Sequence, residues 1–294
     1  MDIVSALLLM LSATLASARN VMVKGFANFE IKSREFFAGQ ATIFGAGSIV
    51  LLFVNLFKFD GISTFTVLFA LVYGSLLICA QWCYTLALMQ GKTAICVTVY
   101  SFGFVVPTLS GAIFWDEKLS VFTILGILTV FPVLIISGTK KKEEKSTSGM
   151  YILYITLALL ASGGLGIVQK IQQKSAFAYQ KSSFLTLAFL LAAVMSLCAV
   201  LLARKASESR NERAFSSKKL GIASCVGLLF ASCNLLNTSL AGMLDSAIFF
   251  PTLNIGVILL STVCGALLLK EKITRRDVAV LIIGSASILL LNIG

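Results

Sequence analysis

The chain contains no histidine, which removes the commonest proton shuttle and metal ligand from any mechanism. Charge is scarce as well. Only 13% of the residues are charged, against roughly 25% in soluble domains. A soluble core cannot hide the 58% that are hydrophobic, so lipid is the expected solvent. No Ser-, Gly- or Pro-rich linker and no low-complexity block divides the chain. The seven cysteines (Cys79, Cys83, Cys96, Cys198, Cys225, Cys233 and Cys264) lie inside apolar runs without CxxC or other metal-ligand spacing. They read as small hydrophobes, and neither a metal nor a cofactor is expected.

What is present is a net charge of +11. Its Lys and Arg residues sit in short gaps between apolar runs and form no basic face interleaved with aromatics, which argues against nucleic acid. They read as membrane-flanking anchors. The opening "MDIVSALLLMLSATLASA" imitates a secretory signal but carries Asp2 where a basic region belongs, so a retained first span is expected.

About 20 apolar residues cross a bilayer as a helix, and in lipid the backbone must satisfy its own hydrogen bonds. Ten such runs follow one another, at 2–23, 36–55, 62–89, 93–115, 119–138, 150–172, 182–203, 219–241, 246–269 and 274–293. The runs are continuous rather than alternating, which excludes a transmembrane β-barrel.

The runs repeat. "FWDEKLS" (114–120) and "LLKEKIT" (268–274) align Glu117 with Glu271, Lys118 with Lys272, Ser120 with Thr274 and Gly111 with Gly265. With a one-residue slip, "YTLALMQGKTAI" (84–95) falls on "NTSLAGMLDSAI" (237–248), and Ser12 through Lys24 aligns without gaps on Ser162 through Lys174. Three matches in the same order indicate duplication of a five-helix unit. Five is odd, so the second copy enters the membrane from the opposite side, the inverted-repeat plan of secondary transporters. The expected fold is all-α and integral to the membrane: ten transmembrane helices as two inverted five-helix repeats (1–138 and 150–294) joined by a loop at 139–149, around a central cavity. Of the 24 Lys and Arg residues, 18 fall in or at the edges of gaps after odd-numbered spans and 5 after even-numbered ones. The positive-inside rule then places both termini outside the cytoplasm of a plasma (inner) membrane.

The ten helices, the "YTLAL" stretch before a short turn, and the paired "DEKLS" and "KEKIT" endings resemble the drug/metabolite transporter superfamily, EamA type, over essentially the whole chain. The resemblance implies a cavity lined mainly by helices 1, 3, 4, 6, 8 and 9, and export or exchange of small organic metabolites. It also implies a proline in helices 4 and 9; Pro107 and Pro251 are present as candidate gating kinks, though not at equivalent positions of the repeat.

Polar groups inside spans usually face the bundle interior. On that ground the substrate-binding candidates are Gln81, Trp82, Tyr84, Tyr100, Ser101, Asn234, Asn237 and Asn254. Their amides and hydroxyls suit both ends of a zwitterion, and the rings supply apolar walls. Arg19 and Lys170 lie near the far ends of spans 1 and 6 and read as cations snorkelling to the interface. All 13 acidic residues fall outside span interiors, which leaves no carrier for proton coupling and nothing to pair with a polycationic drug. A monomeric uniporter or exchanger of a small polar metabolite such as an amino acid is the expectation. The alternative is a flippase for a lipid-linked substrate. A membrane enzyme is not expected, because no clustered acid–base pair, metal site or activated nucleophile is present.

Overall fold

The computed structural model describes residues 3–27, 33–57, 61–90, 93–117, 120–138, 149–206 and 217–268, with scattered positions between 275 and 290. Nine of the ten expected spans lie within these residues. Most of the tenth, Glu271 and Lys272 of the repeated motif, and the loop at 139–148 lie outside them.

Helices α1 (Ile3–Ala27), α2 (Ser33–Phe57) and α3 (Thr64–Gln90) form spans 1 to 3. Span 4 is interrupted: α4 (Thr93–Ser101) gives way to a 3-10 turn (Phe102–Phe104) before α5 (Val105–Phe114). Pro107 explains the break. It has no N–H to offer the Gly103 carbonyl four residues earlier, and its ring clashes with that group, so the helix tightens just upstream. Helices α6 (Val121–Gly138), α7 (Gly149–Lys174), α8 (Lys181–Ala206), α9 (Ser217–Met243) and α10 (Ser246–Leu268) complete spans 5 to 9. Pro251 lies inside α10, which nevertheless runs unbroken.

Seven of the helices are long and apolar enough to cross a membrane. Burial supports a multi-pass membrane protein: the outward-facing residues include Ile49, Phe53, Leu56, Leu68, Val72, Leu197 and Leu202, while Ser12, Gln40, Thr85, Gln169 and Asn234 are buried. A water-soluble bundle would reverse this arrangement.

The packing is reciprocal. Helix α2 lies along α8; α3 lies along α7 as α9 lies along α1. Helix α2 also packs on α9 as α8 packs on α3, and α1 meets α10 as α7 meets the α4–α5 segment. Two glycines permit close backbone approaches. A Cβ on Gly74 of α3 would stand 2.8 Å from the Ala188 carbonyl oxygen of α8, and one on Gly227 of α9 would overlap the Ile43 carbonyl oxygen of α2. Gly74 and Gly227 fall on one another in the register that pairs Tyr84 with Asn237.

Candidate functional site

A cavity of about 110 Å³ opens between the helices of spans 1, 3, 4, 6, 8 and 9. Its polar lining comprises Arg19 and Asn20 from α1, Tyr73 from α3, Tyr100 and Ser101 from α4, Ser162 and Gln169 from α7, Asn234 and Asn237 from α9, and Asn254 from α10. Phe104, Phe230, Phe249 and Phe250 supply apolar wall. The volume is below the roughly 300–1,000 Å³ of sites for drug-sized ligands, and suits a solute of a few heavy atoms.

Arg19 departs from its expected role. It is 6% exposed and does not snorkel. Helix α1 continues to Ala27, four residues past the expected end of the span, so Arg19 sits about 6 Å from the helix midpoint at ~1.5 Å per residue. One guanidinium nitrogen, Nη2, donates to Gln81 Oε1 at 2.9 Å. The guanidinium carbon lies 4.1 Å from the Phe230 ring centroid and 5.9 Å from that of Tyr84. Its Nε has no hydrogen-bond partner among the described residues. Of the described acids, Glu35 pairs with Lys219 and Glu117 with Lys170, while Asp116 and Asp245 are exposed. An arginine near the middle of a spanning helix costs about 2.5–3.5 kcal/mol on insertion scales, and here a glutamine amide and two aromatic faces offset only part of that.

Lys170 also fails to snorkel. It is 1% exposed; its Nζ lies 2.6 Å from Glu117 Oε1 and donates to the Leu244 carbonyl at 3.0 Å. Glu117 Oε2 accepts the Ser246 backbone N–H at 2.7 Å, so the carboxylate also faces the positive end of α10. Glu117 lies between α5 and α6, outside the spans as expected, yet its side chain is buried. Asp116 adopts a left-handed φ of 52°, turning the chain after α5 so that the Glu117 side chain points back inside, where it is 6% exposed. The polar "FWDEKLS" hairpin thus delivers an acid to a buried lysine and to a helix start.

A second polar network spans α3, α7 and α9. Tyr73 Oη donates to Asn234 Oδ1 and accepts from Gln169 Nε2 at 2.7 Å. The same Gln169 nitrogen reaches Thr238 Oγ1 at 3.2 Å. Ser12 Oγ of α1 donates to Asn237 Oδ1 of α9.

Of the eight substrate-binding candidates, Tyr100, Ser101, Asn234, Asn237 and Asn254 line the cavity. The other three do not. Gln81 is fully buried behind Arg19 and holds it. Tyr84 is buried with its ring 4.6 Å from that of Tyr100 and its hydroxyl without a partner among the described residues. Trp82 faces away, its ring 5.0 Å from Phe37. Of the prolines, Pro107 reaches the cavity wall and Pro251 does not.

Arg19, Tyr73 and Gln169 went unrecognised as lining residues. For two of them a signal existed: Arg19 and Gln169 share one column of the Ser12/Ser162 alignment. They lie at helical spacing from Ser12 and Ala16 on α1 and from Ser162 and Gly166 on α7. Tyr73 carries no comparable mark.

No family model matches the chain, and no curated protein matches it in sequence. A solved structure described only as "Crystal structure of protein" superposes with a TM-score of 0.68 at 13% identity, over 99% of this chain and 98% of its own. At that identity the likeness extends to the fold alone.

Proposed function

We propose that this protein is a secondary transporter of a small polar organic metabolite, with the fold of an EamA-type drug/metabolite transporter and an alternating-access mechanism. The observation that carries this reading is a cavity between six helices with many polar lining residues, in a bundle whose outer surface is apolar. Such a site near mid-bundle has no use for lipid and suits a hydrophilic solute in transit. Two inverted five-helix halves, 1–138 and 150–294, are supported by the reciprocal packing, by Gly74 and Gly227 at one register, and by Arg19 and Gln169 entering the cavity from matching positions.

In this reading the Lys170–Glu117 pair is a latch. It ties the turn after α5 to α7 and to the start of α10 at the end carrying the gaps after even-numbered spans, so opening toward that side must separate the pair or move its three elements together. Pro107 supplies a weak point in span 4, three residues past the 3-10 turn that touches the cavity.

Cys233 lines the cavity and is 3% exposed, which provides a test that needs no knowledge of the substrate. A variant retaining Cys233 as its one cysteine is reconstituted in liposomes and treated with a membrane-impermeant maleimide from each side in turn. Alternating access predicts labelling from both sides. Labelling from one side alone, under every condition, would sink the mechanism.

A further inference from the structure

The cavity contains one cation and, among its lining residues, no anion. Lys170 shows how this bundle treats a buried base that serves structure: it supplies a carboxylate at 2.6 Å. Among the described residues, Arg19 receives only the neutral Gln81 oxygen. That single contact uses one of the five guanidinium donors, and Nε is left without a partner while the side chain is 6% exposed. A buried polar group that stays unpaired is costly and calls for an explanation. The guanidinium is also pre-oriented, with Phe230 against its face and Gln81 on one edge, so a ligand binding it bears little ordering cost.

We propose that Arg19 is the anion-recognition residue of this cavity, and that the substrate is a small monocarboxylate rather than a net-neutral zwitterion. The proposal rests on the transporter reading and narrows its substrate class. One positive charge matches one negative charge; a phosphate dianion would exceed what a single arginine neutralises. A zwitterion would bring an ammonium group to a cavity that offers it amide and hydroxyl oxygens but no carboxylate. Guanidinium and carboxylate geometries match through paired N–H donors. The volume of about 110 Å³ restricts the remaining body to a few carbons.

The test compares 4-methylpentanoate and leucine, one carbon skeleton in two charge states, with solutes of other head groups. Purified full-length protein is screened by thermal shift against sodium 4-methylpentanoate, leucine, 3-methylbutylamine, propyl phosphate, sodium oleate and sodium chloride. The same solutes are then tested for counterflow in proteoliposomes. The expected result is stabilisation by 4-methylpentanoate, with leucine at least about tenfold weaker and the amine inert. Arg19→Gln places in α1 the residue that α7 carries at Gln169. It should retain the wild-type melting temperature without ligand and lose the carboxylate preference, whereas Arg19→Lys should keep part of it.

Equal stabilisation by chloride or by leucine, or an unchanged preference in Arg19→Gln, would overturn the assignment while leaving transport intact. Failure of every carboxylate to bind would overturn it too. Arg19-dependent binding of 4-methylpentanoate without counterflow would uphold the anion site and remove the transporter reading. A response to oleate alone would uphold the carboxylate chemistry and direct it to a ligand entering from the bilayer.

Discussion

Lys170 and Arg19 stand one column apart in the internal alignment, and both are buried, yet the structure surrounds them differently. Lys170 is closed off: Glu117 lies 2.6 Å away, the Leu244 carbonyl takes another bond, and the acid also serves the first N–H of α10. Arg19 is left open. Gln81 takes one bond, Phe230 lies against the guanidinium, and Nε has no partner among the described residues. The first arrangement neutralises its charge within the protein and holds three segments together. The second leaves charge facing a cavity. A buried charge with its partner supplied reads as architecture; one without reads as a site awaiting a ligand.

This contrast can be broken most forcefully at Glu117. Glu117→Gln removes the countercharge from a lysine that is 1% exposed, and should destabilise the protein by about 3–5 kcal/mol, visible as a collapse of the melting temperature in detergent. Adding Lys170→Met should recover most of the loss. A single variant that melts with the wild type would show that the pair holds nothing together.

The next effect concerns the neutral network. Tyr73→Phe leaves Asn234 Oδ1 without its donor and Gln169 Nε2 with only the Thr238 contact. A loss of about 1–3 kcal/mol is expected, measured by the same melt, and an unchanged melting temperature would count against a satisfied network there.

Pro107→Ala tests motion more than stability. It restores a backbone donor to span 4, so a severalfold slower counterflow is expected with stability altered by less than about 1 kcal/mol. An unchanged rate would move the hinge elsewhere.

Smallest in stability, and sharpest for the comparison, is Arg19→Gln. Removing an uncompensated charge should leave the ligand-free melting temperature unchanged or raise it, opposite in sign to the change at Glu117. A large drop would show that Arg19 is structural after all.

Much of the architecture was legible along the chain. Span boundaries followed from apolar run length against bilayer thickness, and nine of the spans appear as helical segments within a few residues of those limits. The broken fourth span was foreshadowed by Pro107. Five of eight candidate residues reach the cavity because amides and hydroxyls in a lipid-facing bundle turn inward. Trp82 misled for the complementary reason: an amphipathic ring is as comfortable against Phe37 outside the cavity as within it.

The sequence by itself determined that lipid is the expected solvent, where the helices lie, and which of its segments resemble one another, because each of these depends on local composition or on matching segments. Only the tertiary structure decided which polar groups meet. Helices apolar nearly all round carry no stripe that sets their rotation about their own axes, so nothing local announces that Gln81 stands behind Arg19. Nor does a seven-residue hairpin reveal that a left-handed turn at Asp116 carries Glu117 inward to Lys170. Those contacts are fixed by how whole helices pack, and they separate the cation paired with a carboxylate from the one that lines the cavity.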